Sequence, residues 1–280
     1  MSAEQHEANV RESAPEGQDK LDSSPACASL CKMTVAIVGA GGRMGGMLMR
    51  RLAGPACTVR GLDVPLTPER VHPAVQGADL VLCCVPAAVM EAVVTACVPH
   101  MRPDAVLADI VSVKVQPLEV MERLWSGPCV GTHPLFGPAP AEDLDLRVCI
   151  TAGRRAQEGH TAMVERLFAG MGAHCFRSSP EEHDRAVSVI QSMNFISSLA
   201  YFAMLADHEE LTPYMTPSFL RRQEAARKLL TEDGELFTWL FDANPYAHES
   251  VRAYRNLLNV AAAGDIELLL GRARRWLEKH

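Results

Sequence analysis

A glycine-rich segment between a predicted strand and a predicted helix is the part of this sequence best suited to chemistry. The apolar run of residues 34–38 is followed by Gly39-Ala40-Gly41-Gly42-Arg43-Met44-Gly45, after which apolar residues recur at helical spacing. Glycine allows a tight turn and lets a phosphate approach bare main chain, while a helix N-terminus offers unpaired N–H groups. The segment therefore predicts a turn that binds the pyrophosphate of a dinucleotide, although its last glycine comes one residue later than in G-x-G-x-x-G.

A carboxylate stands about 20 residues beyond this turn, where a ribose-binding acid is expected. Residues 57–63 form a predicted second strand that ends at Asp63. A carboxylate accepts hydrogen bonds from ribose hydroxyls and repels a 2′-phosphate, so the sequence predicts NAD rather than NADP. Arg60 keeps NADP open, because a guanidinium binds phosphate well. An ordinary strand-helix unit with a solvated aspartate is the structural alternative.

Polar or loop-forming residues follow three later strands of the predicted sheet. Val85 and Pro86 follow one apolar run, where they would either border the cofactor or simply end the strand. Ser112 lies in the second such segment, and His133 lies in the third, just before Pro134. Imidazole suits a general base that takes the proton of a hydroxyl or amine while hydride leaves the same carbon. His133 is therefore the candidate base, and an ordinary loop histidine is the alternative.

The order of the predicted elements is typical of an α/β protein with a second, helical part. Strands and helices alternate over residues 33–178, which predicts a Rossmann-like, doubly wound sheet as the NAD-binding domain. Ser179-Pro180-Glu181-Glu182 has the form of a helix-capping box. Helical patterns follow at residues 186–206, 219–230, 235–241 and 246–260. We therefore predict an all-α substrate and dimerisation domain over residues 179–280, which closes a cleft at the carboxyl ends of the strands.

The composition argues against several classes of function. The chain has 280 residues, a net charge of −7 and no basic block, which argues against nucleic-acid binding. Its nine cysteines lie mostly in apolar runs without metal-site spacing, which indicates reduced thiols, a cytoplasmic protein and no bound metal. With no stretch of eighteen uninterrupted apolar residues and no secretory pattern, we expect a soluble protein without a membrane span. Residues 1–32 are polar and are expected to form a disordered tail.

The sequence resembles the prephenate dehydrogenase family, whose members use NAD to decarboxylate prephenate-type cyclohexadienes oxidatively. The resemblance covers most of residues 33–260. It is carried by the glycine turn, by the Asp109 to Lys114 and Gly131 to Pro138 segments, and by His183-Asp184 followed by Ile190-Gln191. It implies NAD as cofactor and a small dicarboxylate as substrate.

The resemblance also implies the catalytic roles. His133 would accept the proton from the C4 substituent of the substrate, and Ser112 would hydrogen-bond both His133 and that substituent. Lys114 would support the loop. Hydride would leave C4 for the nicotinamide, carbon dioxide would leave C1, and the ring would become aromatic.

Residues of the helical domain would hold the two carboxylates of the substrate. Arg221 or Arg222 is the implied carboxylate ligand, since a guanidinium pairs bidentately with a carboxylate, and a solvated helix face is the alternative. His183 would either face the cleft or serve only the helix N-terminus, and Gln191 would either reach substrate or pack at the domain junction. Phe195 departs from the family, which usually has a histidine there.

That departure leaves the substrate open among prephenate, arogenate and 4-amino-4-deoxyprephenate, a precursor of antibiotic-type natural products. We favour the amino compound slightly. A β-hydroxyacid dehydrogenase or imine reductase is a second hypothesis, although the lysine expected on its long helix is missing from residues 186–206. A non-catalytic NAD-binding sensor is a third. Because the predicted helices carry more apolar surface than one small domain needs, we also expect a homodimer.

Overall fold

A computed structural model of the chain describes residues 33–54 and 57–279. The predicted tail of residues 1–32 lies outside the described residues. Within them, seven strands form one sheet in the order β2-β1-β3-β4-β5-β6-β7. The strands are β1 Met33–Val38, β2 Cys57–Leu62, β3 Leu80–Cys83, β4 Val106–Asp109, β5 Cys129–Pro134, β6 Arg147–Ala152 and β7 His174–Arg177. Neighbouring strands run parallel except β5 and β6, which are antiparallel.

Helices alternate with the strands and then continue alone to the end of the described chain. The helices between strands are α1 Arg43–Leu52, α2 Pro68–Val75, α3 Ala87–Cys97, α4 Val115–Leu124 and α5 Glu158–Ala169. Those after β7 are α6 Pro180–Val187, α7 Met193–Met204, α8 Pro217–Thr231, α9 Gly234–Ala243, α10 Ala247–Ala262 and α11 Ile266–Leu277. The predicted fold class, a Rossmann-like sheet followed by helices, is confirmed. The domain boundary between residues 178 and 179 stays a prediction.

The central strands are buried on both faces, which is why their sequences are continuous apolar runs. In β3, Leu80 and Leu82 belong to a core cluster with side chains of α1 and α5, while Val81 and Cys83 belong to a second cluster with α2, α3 and α4. Leu240 of α9 is buried in that second cluster. The helical part therefore packs on the sheet, so its side chains are within reach of the strand ends.

Several elements differ from the sequence-based expectation. The strand expected to end before His133 continues to Pro134, because β6 pairs with it and His133 lies opposite Cys149. The helical pattern predicted for residues 186–206 belongs to a helical run that starts at Pro180, after the predicted capping box, and a π-helical turn, Ser188–Ser192, interrupts this run. Helices α2 and α11 were not predicted; α2 contains Pro73, and a proline inside a helix normally argues against one.

The start of α6 matches its sequence signature. The Ser179 side chain accepts a hydrogen bond from the main-chain N–H of Glu182, and the Glu182 side chain accepts one from Ser179, so the predicted capping box is confirmed. The helical run Pro180–Met204 is long and apolar enough to cross a membrane by length and composition, with a mean hydropathy of 1.3 and 22% of its most apolar window buried. His183 and Asp184 of this run are buried against the sheet region, so it is part of the fold.

Candidate active site

The glycine turn lies where the strand order reverses. β1 has β2 on one side and β3 on the other, and ligands of open α/β sheets bind at the carboxyl ends of strands at such a point. Gly39 has a φ of +89°, which favours glycine, and a Cβ there would collide with the carbonyl oxygen of Cys84 and with Val85. The turn therefore packs directly against the loop after β3, and no side chain fits between the two main chains at Gly39.

Asp63 stands directly against this turn. Its Oδ2 accepts a hydrogen bond from the Gly41 N–H at 2.6 Å, and its Oδ1 accepts one from the Val64 N–H at 2.7 Å. Arg60 points elsewhere, because its Nη1 donates to the carbonyl oxygens of Pro73 at 3.4 Å and Gln76 at 2.7 Å. Asp63, and not Arg60, is thus the charged side chain of this strand that faces the crevice.

The remaining residues of the predicted cofactor site surround the start of α1. Gly42 caps this helix, and Arg43 and Met44 form its first turn. The exposed Arg43 guanidinium lies 3.5 Å from the Asp233 carboxylate at the start of α9, so the helical part touches the turn. Pro86 caps α3 in the facing loop. The crevice is therefore bordered by two helix N-termini, which is the arrangement that favours an anionic ligand.

His133 lies near the same edge of the sheet, close to the end of β5. Its side chain is 3% exposed, and its Nδ1 lies 2.9 Å from Nε2 of His183, with the two rings edge to face. Burial lowers the pKa of His133 well below 6.5, and His183 and Lys114 lower it further. Among the described residues, Nε2 of His133 has no hydrogen-bond partner. The ring is thus neutral at neutral pH, with one nitrogen engaged and one available.

His183 is in turn bound to Asp184. Nδ1 of His183 lies 2.8 Å from Oδ1 of Asp184. The same carboxylate accepts the main-chain N–H groups of Lys114 at 2.7 Å and Val115 at 2.9 Å, at the start of α4. A partly exposed histidine and an acid that serve their own helix were one alternative at the sequence level, and a role at the cleft was the other. In the structure both side chains are buried, and the acid caps a helix of the sheet region.

A buried ion pair lies next to this cluster. Nζ of Lys114 lies 2.5 Å from Oδ2 of Asp109 at the end of β4 and donates to the carbonyl oxygen of Thr132 at 2.6 Å. Both side chains are fully buried; desolvation raises the pKa of Asp109 and lowers that of Lys114, and their mutual attraction opposes both shifts. Lys114 thereby ties β4 to β5 next to His133, which agrees with its expected role as a support.

Comparison with known proteins agrees with this architecture. Residues 55–176 match the family described as "Prephenate dehydrogenase, nucleotide-binding domain". The chain is 27% identical over 257 residues to the T-protein of Enterobacter agglomerans, covering 88% of this chain and 68% of that protein. The chain is thus similar to prephenate dehydrogenases in residues 55–176 and, at lower identity, over most of its length. It spans only about half the length of two other relatives, the T-protein of Haemophilus influenzae at 54% and a probable arogenate/prephenate dehydrogenase of Methanocaldococcus jannaschii at 45%.

Solved structures share the fold over nearly the whole chain. Prephenate dehydrogenase from A. aeolicus, in complex with hydroxyphenyl propionate and NAD+, has a TM-score of 0.74 at 19% identity, covering 90% of this chain and 98% of its own. Synechocystis arogenate dehydrogenase has a TM-score of 0.71 at 21% identity, covering 88% and 97%. The sheet and the helices after it thus have the same fold as these two dehydrogenases.

The other residues implied by the family are distributed around the His133 cluster. Ser112 is half-buried in the loop after β4; it makes no hydrogen bond to His133 among the described residues, where Nδ1 of that ring is taken by His183. Gln191 is half-buried in the π-helical turn of the helical part. Such turns occur often at functional sites. The roles of Ser112 and Gln191 stay predictions.

Arg221 and Arg222 are exposed on α8. The Arg222 guanidinium stacks on Tyr201, with 3.8 Å between Cζ and the ring centroid. It lines a cavity of about 580 Å³ together with Tyr201, His208 and Phe219. Phe195 is 3% exposed and stacks on Phe237. Within the described chain neither arginine contacts the His133 cluster, so their carboxylate-binding role also stays a prediction.

Proposed function

We propose that this protein is an NAD-dependent dehydrogenase that oxidatively decarboxylates a prephenate-type cyclohexadiene to a 4-substituted phenylpyruvate. The observation that carries the proposal is the His133 ring, which is buried and neutral and has an unpaired Nε2 near the same sheet edge as the glycine turn. A neutral imidazole with a free lone pair is what a general base requires. The similarity of residues 55–176 to the nucleotide-binding domain of prephenate dehydrogenases, and of most of the chain to a T-protein, supports the choice of substrate class.

The residues of the crevice fit NAD. Glycines 39, 41 and 45 leave bare main chain where a Cβ would meet neighbouring atoms, and Gly42, Arg43 and Met44 start the helix that would face the pyrophosphate. Asp63 is held at the turn, where ribose hydroxyls would donate to it, and Val85 and Pro86 would border the opposite side. NAD would supply the hydride acceptor for the reaction.

The chain's own residues would move the proton and hold the substrate. Nε2 of His133 would take the proton of the C4 hydroxyl or amine as hydride leaves C4, and the C1 carboxylate would depart as carbon dioxide, which makes the ring aromatic and the step irreversible. Ser112 would orient the C4 substituent against His133. Arg221 or Arg222, helped by Gln191, would bind the carboxylates, for which a planar guanidinium is well suited.

We favour 4-amino-4-deoxyprephenate slightly over prephenate and arogenate as the substrate. The chain is 34% identical over 139 residues to a 4-amino-4-deoxyprephenate dehydrogenase of Streptomyces pristinaespiralis, covering 48% of this chain and 44% of that protein. Phe195, which stands where the family usually has a histidine, is buried against Phe237 and brings no imidazole to that position. A role in antibiotic biosynthesis would follow from this substrate.

We further propose a cytoplasmic homodimer formed through the helical part. Large apolar side chains are exposed there on several helices, among them Leu199, Met204, Leu258 and Leu268. The seven cysteines among the described residues are free thiols, as expected in a reducing compartment. Burial raises the pKa of Cys97 to about 11 and that of Cys129 to about 12, so these thiols stay protonated and inert.

A substrate panel tests the proposed activity. Purified protein is incubated with NAD and, in turn, prephenate, arogenate or 4-amino-4-deoxyprephenate, and the absorbance of NADH is followed. We expect turnover with at least one compound, highest with the amino compound. His133→Asn should lower kcat by about 10²–10⁴-fold, the usual contribution of a general base, and leave NAD binding by calorimetry unchanged. No turnover with any compound, together with tight NAD binding, would instead indicate a non-catalytic sensor.

A further inference from the structure

The candidate base His133 is one end of a line of hydrogen bonds that joins two distant parts of the sequence. Asp184, His183 and His133 are linked by contacts of 2.8 Å and 2.9 Å, and each side chain is at most 4% exposed. His133 comes from β5 and the other two from α6, 50 residues later in the chain. We propose that His183 and Asp184 are positioning residues that fix the tautomer of His133, so that its lone pair is always on Nε2.

Asp184 is the fixed end of the line. Its carboxylate accepts the N–H groups of Lys114 and Val115, and its main-chain oxygen accepts a hydrogen bond from Nδ2 of Asn244 at 2.8 Å. A carboxylate accepts hydrogen bonds and has none to donate. The contact between its Oδ1 and Nδ1 of His183 therefore requires that Nδ1 carry the hydrogen.

The tautomer of His183 then determines that of His133. When both rings are neutral, each has one N–H and one lone pair, so a hydrogen on Nδ1 of His183 leaves the lone pair on its Nε2. That lone pair faces Nδ1 of His133 at 2.9 Å, so Nδ1 of His133 must be the donor. The lone pair of His133 is consequently on Nε2, the nitrogen that has no partner among the described residues.

The Asp184 end of the same line would offset part of the positive charge when His133 takes a proton. A protonated His133 is a buried cation, which desolvation disfavours. Its Nδ1–H already donates to His183, and the negative charge of Asp184 lies directly beyond that ring. This inference rests on the proposed role of His133 as the base, because it explains how so deeply buried an imidazole can accept a proton during turnover.

Two substitutions separate hydrogen bonding from simple packing. His183→Gln places an amide oxygen at about the position of Nε2 and keeps an acceptor for His133, whereas His183→Leu keeps comparable bulk and removes the acceptor. We expect His183→Leu to lower kcat by at least about 10²-fold, the scale of general-base catalysis, with KM changed less than about threefold. His183→Gln should retain kcat within about tenfold of the unaltered protein. His72→Leu is the matched control, because His72 contacts His100 in an exposed histidine pair far from β5 and α6.

The tautomers can be read without any substrate. In ¹⁵N-histidine-labelled protein, long-range ¹⁵N–¹H correlation spectra distinguish a protonated ring nitrogen from one with a lone pair, and His133→Asn and His183→Leu assign the two rings. We expect both histidines to carry hydrogen on Nδ1, and we expect His133 to lose this preference in His183→Leu but keep it in His183→Gln.

The inference is overturned if His133 carries its hydrogen on Nε2 in the unaltered protein, or if His183→Leu turns over normally. If all three cyclohexadienes prove inert while the spectra show the expected tautomers, the proposed activity fails and the positioning line still stands.

Discussion

Two local effects determine the protonation state and the tautomer of the His133 ring. Burial disfavours the protonated form and lowers the pKa, while the hydrogen bond to His183 selects which nitrogen stays unprotonated. The first effect keeps the base available at neutral and mildly acidic pH. The second points its lone pair in one direction. A lone loop histidine, which was the alternative at the sequence level, would have neither property.

The lowered pKa predicts an unusual pH dependence of activity. An ordinary histidine base would lose activity as pH falls through about 6.5. Because the pKa of His133 lies well below that value, the ring stays unprotonated, and we expect kcat/KM to remain level as pH falls through 6.5 and to decline only at lower pH. Initial rates in buffers of constant ionic strength check this. A decline that is already half complete at about pH 6.5 would contradict the assigned burial of the base.

The individual catalytic candidates could be found from sequence, but their partners could not. His133 and Asp63 follow apolar runs, and that local signal places them at strand ends. The bond from His133 to His183 spans 50 residues, and the bond from the Lys114 N–H to Asp184 spans 70. Such contacts depend on how α6 packs against the sheet, and no local pattern encodes that packing. The hydrogen bonds from the start of α4 to the buried Asp184 carboxylate of α6 are therefore seen only in the three-dimensional structure.

Two neighbouring glycines next to the glycine turn differ in whether the surrounding atoms leave room for a side chain. Gly45 and Gly46 are neighbours in α1. A Cβ on Gly45 would overlap the carbonyl oxygen of Gly39, which is main chain and cannot rotate away, whereas a Cβ on Gly46 would make contacts of 3.4 Å or more. The close packing of α1 against the turn thus depends on the absence of a side chain at Gly45.

A pair of alanine substitutions tests this difference. Gly45→Ala should push α1 away from the turn, lower the free energy of unfolding by about 1–3 kcal/mol as overpacking does, and weaken NAD binding. Gly46→Ala is the matched control, and it should stabilise the protein by up to about 1 kcal/mol, because alanine favours a helix interior over glycine. Urea unfolding and NAD titration of both variants measure the two effects. Equal behaviour of the two variants would show that the turn tolerates a side chain.

Element boundaries followed from sequence where burial on both faces imposed them. Strand β3 lies within the apolar run that precedes Val85, and helix α3, Ala87–Cys97, follows directly after Pro86. The π-helical turn of residues 188–192 was not among the predicted elements. The extension of β5 through His133 depends on the antiparallel partner β6, which lies further along the chain.

Several contacts join the helical part to the sheet region. Asp184 caps α4, Leu240 is buried against the sheet, and Asp233 approaches Arg43 at the glycine turn. The helical part therefore completes the candidate site and also forms its own bundle. It also exposes large apolar side chains such as Ile190, Leu258 and Leu268, which are 65%, 52% and 59% exposed. Surfaces of this kind mark interaction sites.

We expect these exposed apolar side chains of the helical part to be covered by a second copy of the chain. Size-exclusion chromatography with light scattering should give twice the 30.5 kDa mass of one chain at micromolar concentration. The double substitution Leu258→Glu with Leu268→Glu should shift the protein to monomer, because a charge without a partner is costly to bury at an interface. Leu144→Glu alters an equally apolar side chain, 47% exposed in the loop before β6, and should leave the dimer intact. A monomeric mass for the unaltered protein would contradict the dimer, and an unchanged dimer in the double variant would exclude α10 and α11 from its interface.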